Sequence, residues 1–340
     1  MKETQPDIRS TAGALVASGK GILAADESFP TIEKRFAKIN VPSTEENRRA
    51  YREVLITTPG IGEYISGVIL FDETVRQKTK AGVPFPDFLV SRGVIPGIKV
   101  DKGTQDEPDS PGEKTTQGLE GLAERLVEYR DLGARFTKWR AVYSIGQNLP
   151  SDKIVQANAN GLADYAVISQ KAGLVPIVEP EVLMDGDHTI QKCEEVTTRV
   201  LTQVFSKLQE NGVDLSGMLL KPNMVISGKD CPTKATSQEI AEATIRTIKK
   251  TVPTSVPGIV FLSGGQTPEQ ATLYLSQMNK IGGVPWQLSF SFGRALQEPV
   301  LKTWNGSSEN LEAAQKAFNK RARLNSLARY GKYSPEMENE

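Results

Sequence analysis

The sequence predicts a (β/α)8 (TIM) barrel, a single α/β domain over residues 1–340 with a C-terminal helix and a short tail. Three observations carry that expectation. Eight short apolar runs recur along the chain, helix-forming stretches lie between them, and no break in composition splits off a second domain. Strands that alternate with helices imply right-handed βαβ units and a parallel sheet. Eight such units favour a closed barrel over an open sheet. At 340 residues the chain fits two ordinary domains or one large barrel.

The strand candidates come in order. Residues 21–25 end at Asp26, and 65–71 end at Asp72. Residues 97–100 carry Lys99 and end at Asp101, and 134–140 carry Phe136, Lys138 and Trp139. Residues 174–178 end at Glu179, and 217–220 end at Lys221. Residues 258–262 end at Ser263 and two glycines, and 286–292 end at Gly293 and Arg294.

Between them lie the helix signals. Leu119, Leu122, Leu126 and Tyr129 recur at helical steps in 116–132, and Gly133 stops the pattern. Val196, Val200, Val204 and Leu208 do the same in 194–210 before Asn211-Gly212. Thr236 and Glu239 form a capping box; Thr267, Pro268 and Gln270 form a second helix start. Residues 308–329 read as the C-terminal helix. Residues 102–114 read as a loop on the active face.

Composition narrows the chemistry. There are 41 basic and 41 acidic side chains, so nothing marks a nucleic-acid binder. One His excludes sites built on two or three imidazoles. Cys193 and Cys231 make no disulfide framework and fit a reducing compartment. The polar start MKETQPDIRS does not read as a signal peptide, and no run approaches membrane-spanning length. The cytoplasm is the expected location.

Barrel active sites lie at the C-terminal ends of the strands. There this sequence puts Asp26, Asp72, Lys99, Lys138, Glu179, Lys221 and Arg294. A single charge there can simply reach solvent, but the convergence of all of them points to a site. Lys221 follows an apolar run. It is either half of a buried ion pair with Glu179 or Glu181, or a nucleophile. Burial and nearby cations lower a lysine's pKa, and a neutral amine forms Schiff bases with carbonyls. Lys138 supplies a neighbouring cation. Glu179 can shuttle a proton between such lysines. Asp26 is either a base for a substrate hydroxyl or the N-cap of the next helix. Ser263-Gly264-Gly265 and Gly293-Arg294 stand where barrels bind phosphate. Lys34-Arg35 is a second phosphate grip, joined by Lys99, or else a solvated helix face. His188, in Asp-Gly-Asp-His, reads as a loop or helix-start residue.

Ten stretches together resemble the class I, Schiff-base fructose-bisphosphate aldolases: GKGILAADES (19–28), GVILFDET (67–74), PGIKVDKG (96–103), TTQGL (115–119), KWRAV (138–142), VPIVEPE (175–181), DGDH (185–188), LLKPNMV (219–225), FLSGGQ (261–266) and SFGRALQ (291–297). The resemblance runs in order over nearly the whole chain. It implies metal-independent, reversible cleavage of fructose 1,6-bisphosphate to dihydroxyacetone phosphate and glyceraldehyde 3-phosphate, with no cofactor. It implies Lys221 as the Schiff-base lysine, Glu179 as its acid/base, Lys138 as the adjacent cation and Asp26 as the group assisting carbon–carbon cleavage. Arg140 and Glu181 would support them. Ser263, Gly264, Gly265, Ser291, Gly293 and Arg294 would hold one phosphate; Lys99, Arg35 and Ser28 would serve the other. The resemblance further implies a homotetramer, with a sugar bisphosphate as partner and neither nucleic acid nor membrane.

Two stretches depart from the family pattern. Phe29-Pro30-Thr31 follows Ser28 where many relatives have Thr-Gly-Ser, and the sequence ends Tyr333 to Glu340 without a terminal Tyr. Protonation of an enamine would then fall to Glu179, another acid or water. A sedoheptulose-bisphosphate preference, another Schiff-base barrel, and a non-catalytic sugar-phosphate scaffold are the competing readings.

Overall fold

A computed structural model of the chain describes residues 7–108 and 110–340. Ten strands occur among them: β1 (Gly21–Ala25), β2 (Ile65–Leu70), β3 (Ile95–Lys99), β4 (Thr104–Asp106), β5 (Lys114–Thr116), β6 (Phe136–Tyr143), β7 (Val175–Val182), β8 (Leu219–Leu220), β9 (Gly258–Phe261) and β10 (Gln287–Phe292). Eight close into a parallel barrel in the order β1-β10-β9-β8-β7-β6-β3-β2. All eight expected runs supply staves of that barrel. β8 is the shortest, because Leu215–Gly217 turns as a 3-10 helix before the ladder begins.

Two cores form, as a barrel requires. The outer one lies between the staves and the surrounding helices. The inner one fills the barrel with Ile22, Ala24, Ile69, Phe136, Val175, Ile177, Leu219 and Val260, closed below by Ala12 and Leu15 of the first helix (Ile8–Leu15). Phe136 needs the next two staves, β3 and β2, bare beside it: a Cβ on Gly97 would lie 2.3 Å from its ring, and one on Gly67 3.1 Å. Burying that ring contributes roughly 1.5–3 kcal/mol.

This plug positions the site. Side chains alternate along a strand, so residues two apart share a face. From Ala24 the next inward position is Asp26. From Phe136 they are Lys138 and Arg140, from Ile177 they are Glu179 and Glu181, and from Leu219 it is Lys221. The polar layer therefore sits directly above an apolar floor.

Outside the barrel several expectations shift. The helix expected over 116–132 spans only Leu122–Asp131. Gly118 and Gly121 take positive φ (123° and 62°), which ends any helix there. Lys114–Thr116 instead pairs antiparallel with Thr104–Asp106, so the expected loop is a hairpin on the active face. Thr116 Oγ1 donates to Arg140 O at 2.8 Å and ties it to β6. The helix expected from 194 begins at Ile190 with Thr189 as its cap. The C-terminal helix is Leu311–Arg329, preceded by a 3-10 turn at Ser308–Asn310. Both capping boxes form: Glu239 accepts from Thr236 N at 2.7 Å and Gln270 from Thr267 N at 3.0 Å. Helix Asp152–Lys171, not anticipated, packs over β6 and β7.

Candidate active site

The C-terminal ends of the staves open into a cleft of about 1370 Å³. Every candidate site residue named from the sequence lines it: Asp26, Ser28, Arg35, Lys99, Lys138, Arg140, Glu179, Glu181, Lys221, Ser263, Gly264, Gly265, Ser291, Gly293 and Arg294. Asp72 also reaches the rim. It bonds Arg76 and accepts from Tyr129 Oη at 2.8 Å, so it stands apart from the inner groups.

At the floor, four acidic and basic side chains form a chain. Lys138 Nζ lies 2.7 Å from Asp26 Oδ2 and 3.2 Å from Glu179 Oε2. Lys221 Nζ lies 3.2 Å from Glu179 Oε1. All four residues are buried. The ion-pair alternative for Lys221 is thus realised with Glu179, and that pairing also sets a carboxylate on the amine. The capping alternative for Asp26 is not: Ser28 takes the N-cap position of helix Phe29–Ala37, and Asp26 faces Lys138. Strand pairing explains the grouping. β6, β7 and β8 are neighbours, and β1 reaches across from the far side of the barrel.

Charge decides the protonation states. Burial opposes the ammonium of Lys138, but Asp26, Glu179 and Asp101 outweigh it and raise its pKa. Burial likewise opposes the Asp26 carboxylate, and Lys138, Lys221 and Lys99 hold its pKa well below the usual range. In the resting site Lys138 is therefore a cation and Asp26 an anion able to accept a proton. Further up the wall, Lys99 Nζ lies 2.5 Å from Asp101 Oδ1, and Arg140 Nε lies 2.5 Å from Glu181 Oε2.

The rim beyond β9 and β10 is different in kind. Gly264 and Gly265 have φ of 44° and 90°, and a Cβ at Gly265 would meet Met184 Sδ at 2.4 Å. Only glycine lets this turn lie open to the cleft. Ser291 Oγ is buried, lines the cleft and has no hydrogen-bond partner among the described residues. Arg294, exposed, starts the helix Arg294–Trp304 behind Gly293. A helix start of this kind favours an anion. Arg35 Nη2 lies 3.8 Å from where a Gly293 Cβ would be, so Arg35 stands beside this rim. Ser28 and Thr31 hydroxyls lie 3.2 Å apart at the start of helix Phe29–Ala37. Phe29, the departure from the family pattern, turns away and packs edge-on against Phe71 at 5.2 Å.

Some participants were missed in the sequence. Glu27 bonds Arg35, Asp101 bonds Lys99, and Gln297 Nε2 donates to Glu27 at 2.7 Å. The residue next to Asp26 and the residue two after Lys99 were signals in plain view. Arg52, whose Nη1 lies 2.6 Å from Glu27 Oε2, gave no signal, and Gln297 stood in the SFGRALQ stretch without a role, because only the fold brings them to Glu27. His188 is buried away from these groups, at the loop before helix Ile190–Glu210. Burial holds its pKa below the usual value, against Asp187 and Asp185.

The family model for class I fructose-bisphosphate aldolase matches residues 7–340. A probable class 1 fructose-bisphosphate aldolase of Xanthomonas campestris is 55% identical over 96% of this chain and 98% of that protein. The fructose-bisphosphate aldolase of Dictyostelium discoideum is 54% identical over 97% and 93%. A crystallised Plasmodium falciparum fructose-bisphosphate aldolase, in complex with TRAP and a small-molecule inhibitor, superposes with a TM-score of 0.95 at 53% identity, covering 96% of this chain and 95% of that one. A parallel eight-strand barrel carrying a buried lysine–glutamate–lysine chain at its mouth agrees with these likenesses, and the chain belongs to the class I fructose-bisphosphate aldolases, which are lyases.

Proposed function

We propose that Lys221 forms the Schiff base and that Glu179 moves the protons of its formation and hydrolysis. The observation that carries this reading is the position of Glu179, 3.2 Å from Lys221 on one oxygen and 3.2 Å from Lys138 on the other. Glu179 takes a proton from Lys221, and the free amine adds to the keto carbon of fructose 1,6-bisphosphate, its own proton passing to the former keto oxygen to give a carbinolamine. Glu179 protonates the departing hydroxyl, water leaves and an iminium remains. Asp26 takes the proton of the hydroxyl two carbons away. The carbon–carbon bond breaks, its electrons pass into the iminium, and glyceraldehyde 3-phosphate departs. Asp26 returns its proton to solvent; protonation of the enamine, by Glu179 recharged from solvent, by another acid or by water, and hydrolysis release dihydroxyacetone phosphate. Lys138 stays charged and stabilises the oxygens on both sides of it.

Ser263, Gly264, Gly265, Ser291, Gly293 and Arg294 hold the phosphate of the dihydroxyacetone half. Lys99 and Ser28 take the second phosphate, and Arg35 reaches between the two. Arg140 and Glu181 fix the wall that separates them. The free, buried cysteines support a reducing location, and we place the enzyme in the cytosol. We further propose one barrel domain over 1–340, assembled as a homotetramer.

Sodium borohydride added with dihydroxyacetone phosphate reduces the iminium and leaves a covalent adduct. Peptide mass mapping is expected to find it on Lys221. An adduct on another lysine, or none, rejects the assignment.

A further inference from the structure

Resting on the phosphate role given to Arg35 above, we infer that Glu27 is a positioning residue that aims the Arg35 guanidinium at bound phosphate, with Arg52 and Gln297 as its fixed support. Glu27 follows Asp26 at the end of β1 and turns away from the four-group chain. Its side chain is 4% exposed, deep enough that an unpaired carboxylate would cost several kcal/mol. One oxygen is hydrogen-bonded and the other is held by an ion pair alone. Oε1 accepts from Arg35 Nη1 and from Gln297 Nε2, the latter at 2.7 Å. Oε2 lies 2.6 Å from Arg52 Nη1.

Counting charge shows what the cluster does. Two guanidiniums share one carboxylate, so one positive charge is left over. Asp26, the adjacent anion, is already committed to Lys138. Arg52 is sealed at 3% exposure and cannot present that charge to anything in the cleft. Arg35 is 22% exposed, and its second terminal nitrogen lies beside Gly293. The surplus charge therefore emerges at one place, next to the phosphate rim.

The support is rigid. Gln297, on helix Arg294–Trp304, donates to Ala24 O at 2.6 Å as well as to Glu27, and accepts from Tyr51 Oη at 3.1 Å. Tyr51 is fully buried between Phe36 and Trp304, with ring centroids at 5.7 and 5.3 Å. Arg52 follows Tyr51 on helix Glu45–Ile56. So Glu27 is gripped from β1, from that helix and from the helix whose first residue is Arg294. A free arginine loses rotamer freedom when a ligand pins it. Holding Arg35 in advance removes much of that cost from binding.

The test compares Arg35→Ala, Glu27→Gln and the double variant, reading KM and kcat for fructose 1,6-bisphosphate. Arg35→Ala is expected to raise KM by about tenfold, the equivalent of 1.4 kcal/mol. Glu27→Gln is expected to raise KM by a similar factor with kcat nearly unchanged, the mark of lost uniform binding. In the Arg35→Ala background, Glu27→Gln is expected to add almost nothing, since it acts only through Arg35. If Glu27→Gln does not fold, Glu27→Asp keeps the charge, draws the carboxylate back by one carbon, and gives the same comparison. Full multiplication of the two KM effects overturns the inference. So does a KM that falls in Glu27→Gln, which would mean that Glu27 merely damps the positive charge of the cleft. A raised KM in Arg35→Ala with an unchanged KM in Glu27→Gln overturns the positioning role alone. An unchanged KM in Arg35→Ala removes the phosphate role of Arg35, and this inference with it.

Discussion

The floor and the rim of the cleft are built on opposite electrostatic plans. On the floor, Asp26, Lys138, Glu179 and Lys221 form a run of ion pairs of alternating sign, each within 3.2 Å. At the rim, Ser291 Oγ has no partner among the described residues and the glycine turn after β9 stands open. Arg35 adds a surplus positive charge there. A buried charge chain that balances itself is organised before substrate arrives, so it can move protons without drawing on binding energy. A rim that does not balance itself waits for an anion. The difference separates chemistry from grip, and variants at the two places should fail in different ways.

Glu179→Gln tests the floor most severely. It keeps the shape of the side chain and removes the proton shuttle between two lysines. Turnover is expected to fall by roughly 10²–10⁴-fold, the range for loss of a positioned acid/base. KM should change little, because the rim is untouched. A steady-state profile with near-normal kcat would break the division between floor and rim.

How much of this was legible in the sequence also divides along that line. The floor was legible because it follows period-two strands: once Phe136 is inward, Lys138 must be, and likewise Ile177 and Glu179. The support behind the rim was not. Arg52 and Gln297 sit on helices far apart in sequence and meet Glu27 only after the barrel closes. Helix Asp152–Lys171 escaped for another reason: its buried face mixes Ile154, Val155, Leu162 and Tyr165 with Asn158, Ala159, Ala163 and Ser169, and these small or polar residues dilute the apolar stripe. Asn158 earns its buried place by donating to Lys114 O and Val142 O. The hairpin β4–β5 was hidden by the leucine spacing that follows it, until the glycines at 118 and 121 are read as breaks.

Lys138→Met sharpens the comparison through stability. Removing one partner of a buried pair leaves Asp26 and Glu179 short of compensation, at a cost of about 3–5 kcal/mol at pH 7. The pH dependence has a definite sign. Asp26 has a lowered pKa, so its contribution is complete above the ordinary carboxylate value of about 4 and fades as pH falls below it. Lys138 has a raised pKa, so its contribution is complete below about 10 and fades as pH rises beyond. Denaturant midpoints of the two proteins should differ most near neutrality and converge towards pH 3. A gap that stays constant down to pH 3 would mean that packing, and not the charge chain, holds the floor together.

Ser291→Ala is the smallest expected effect and the cleanest at the rim. The hydroxyl bonds nothing among the described residues, so its removal frees no buried partner there and should leave stability within about 0.5 kcal/mol of wild type, read from the denaturant midpoint. Its bond to a phosphate oxygen would be a hydrogen bond to a charged group, contributing about 1.5 kcal/mol. KM for fructose 1,6-bisphosphate should therefore rise about tenfold with kcat nearly constant. A matching loss of kcat would place Ser291 with the chemistry and blur the boundary. A loss of stability would mean that the hydroxyl serves the fold. Only a change confined to KM fits a group kept unsatisfied for its ligand.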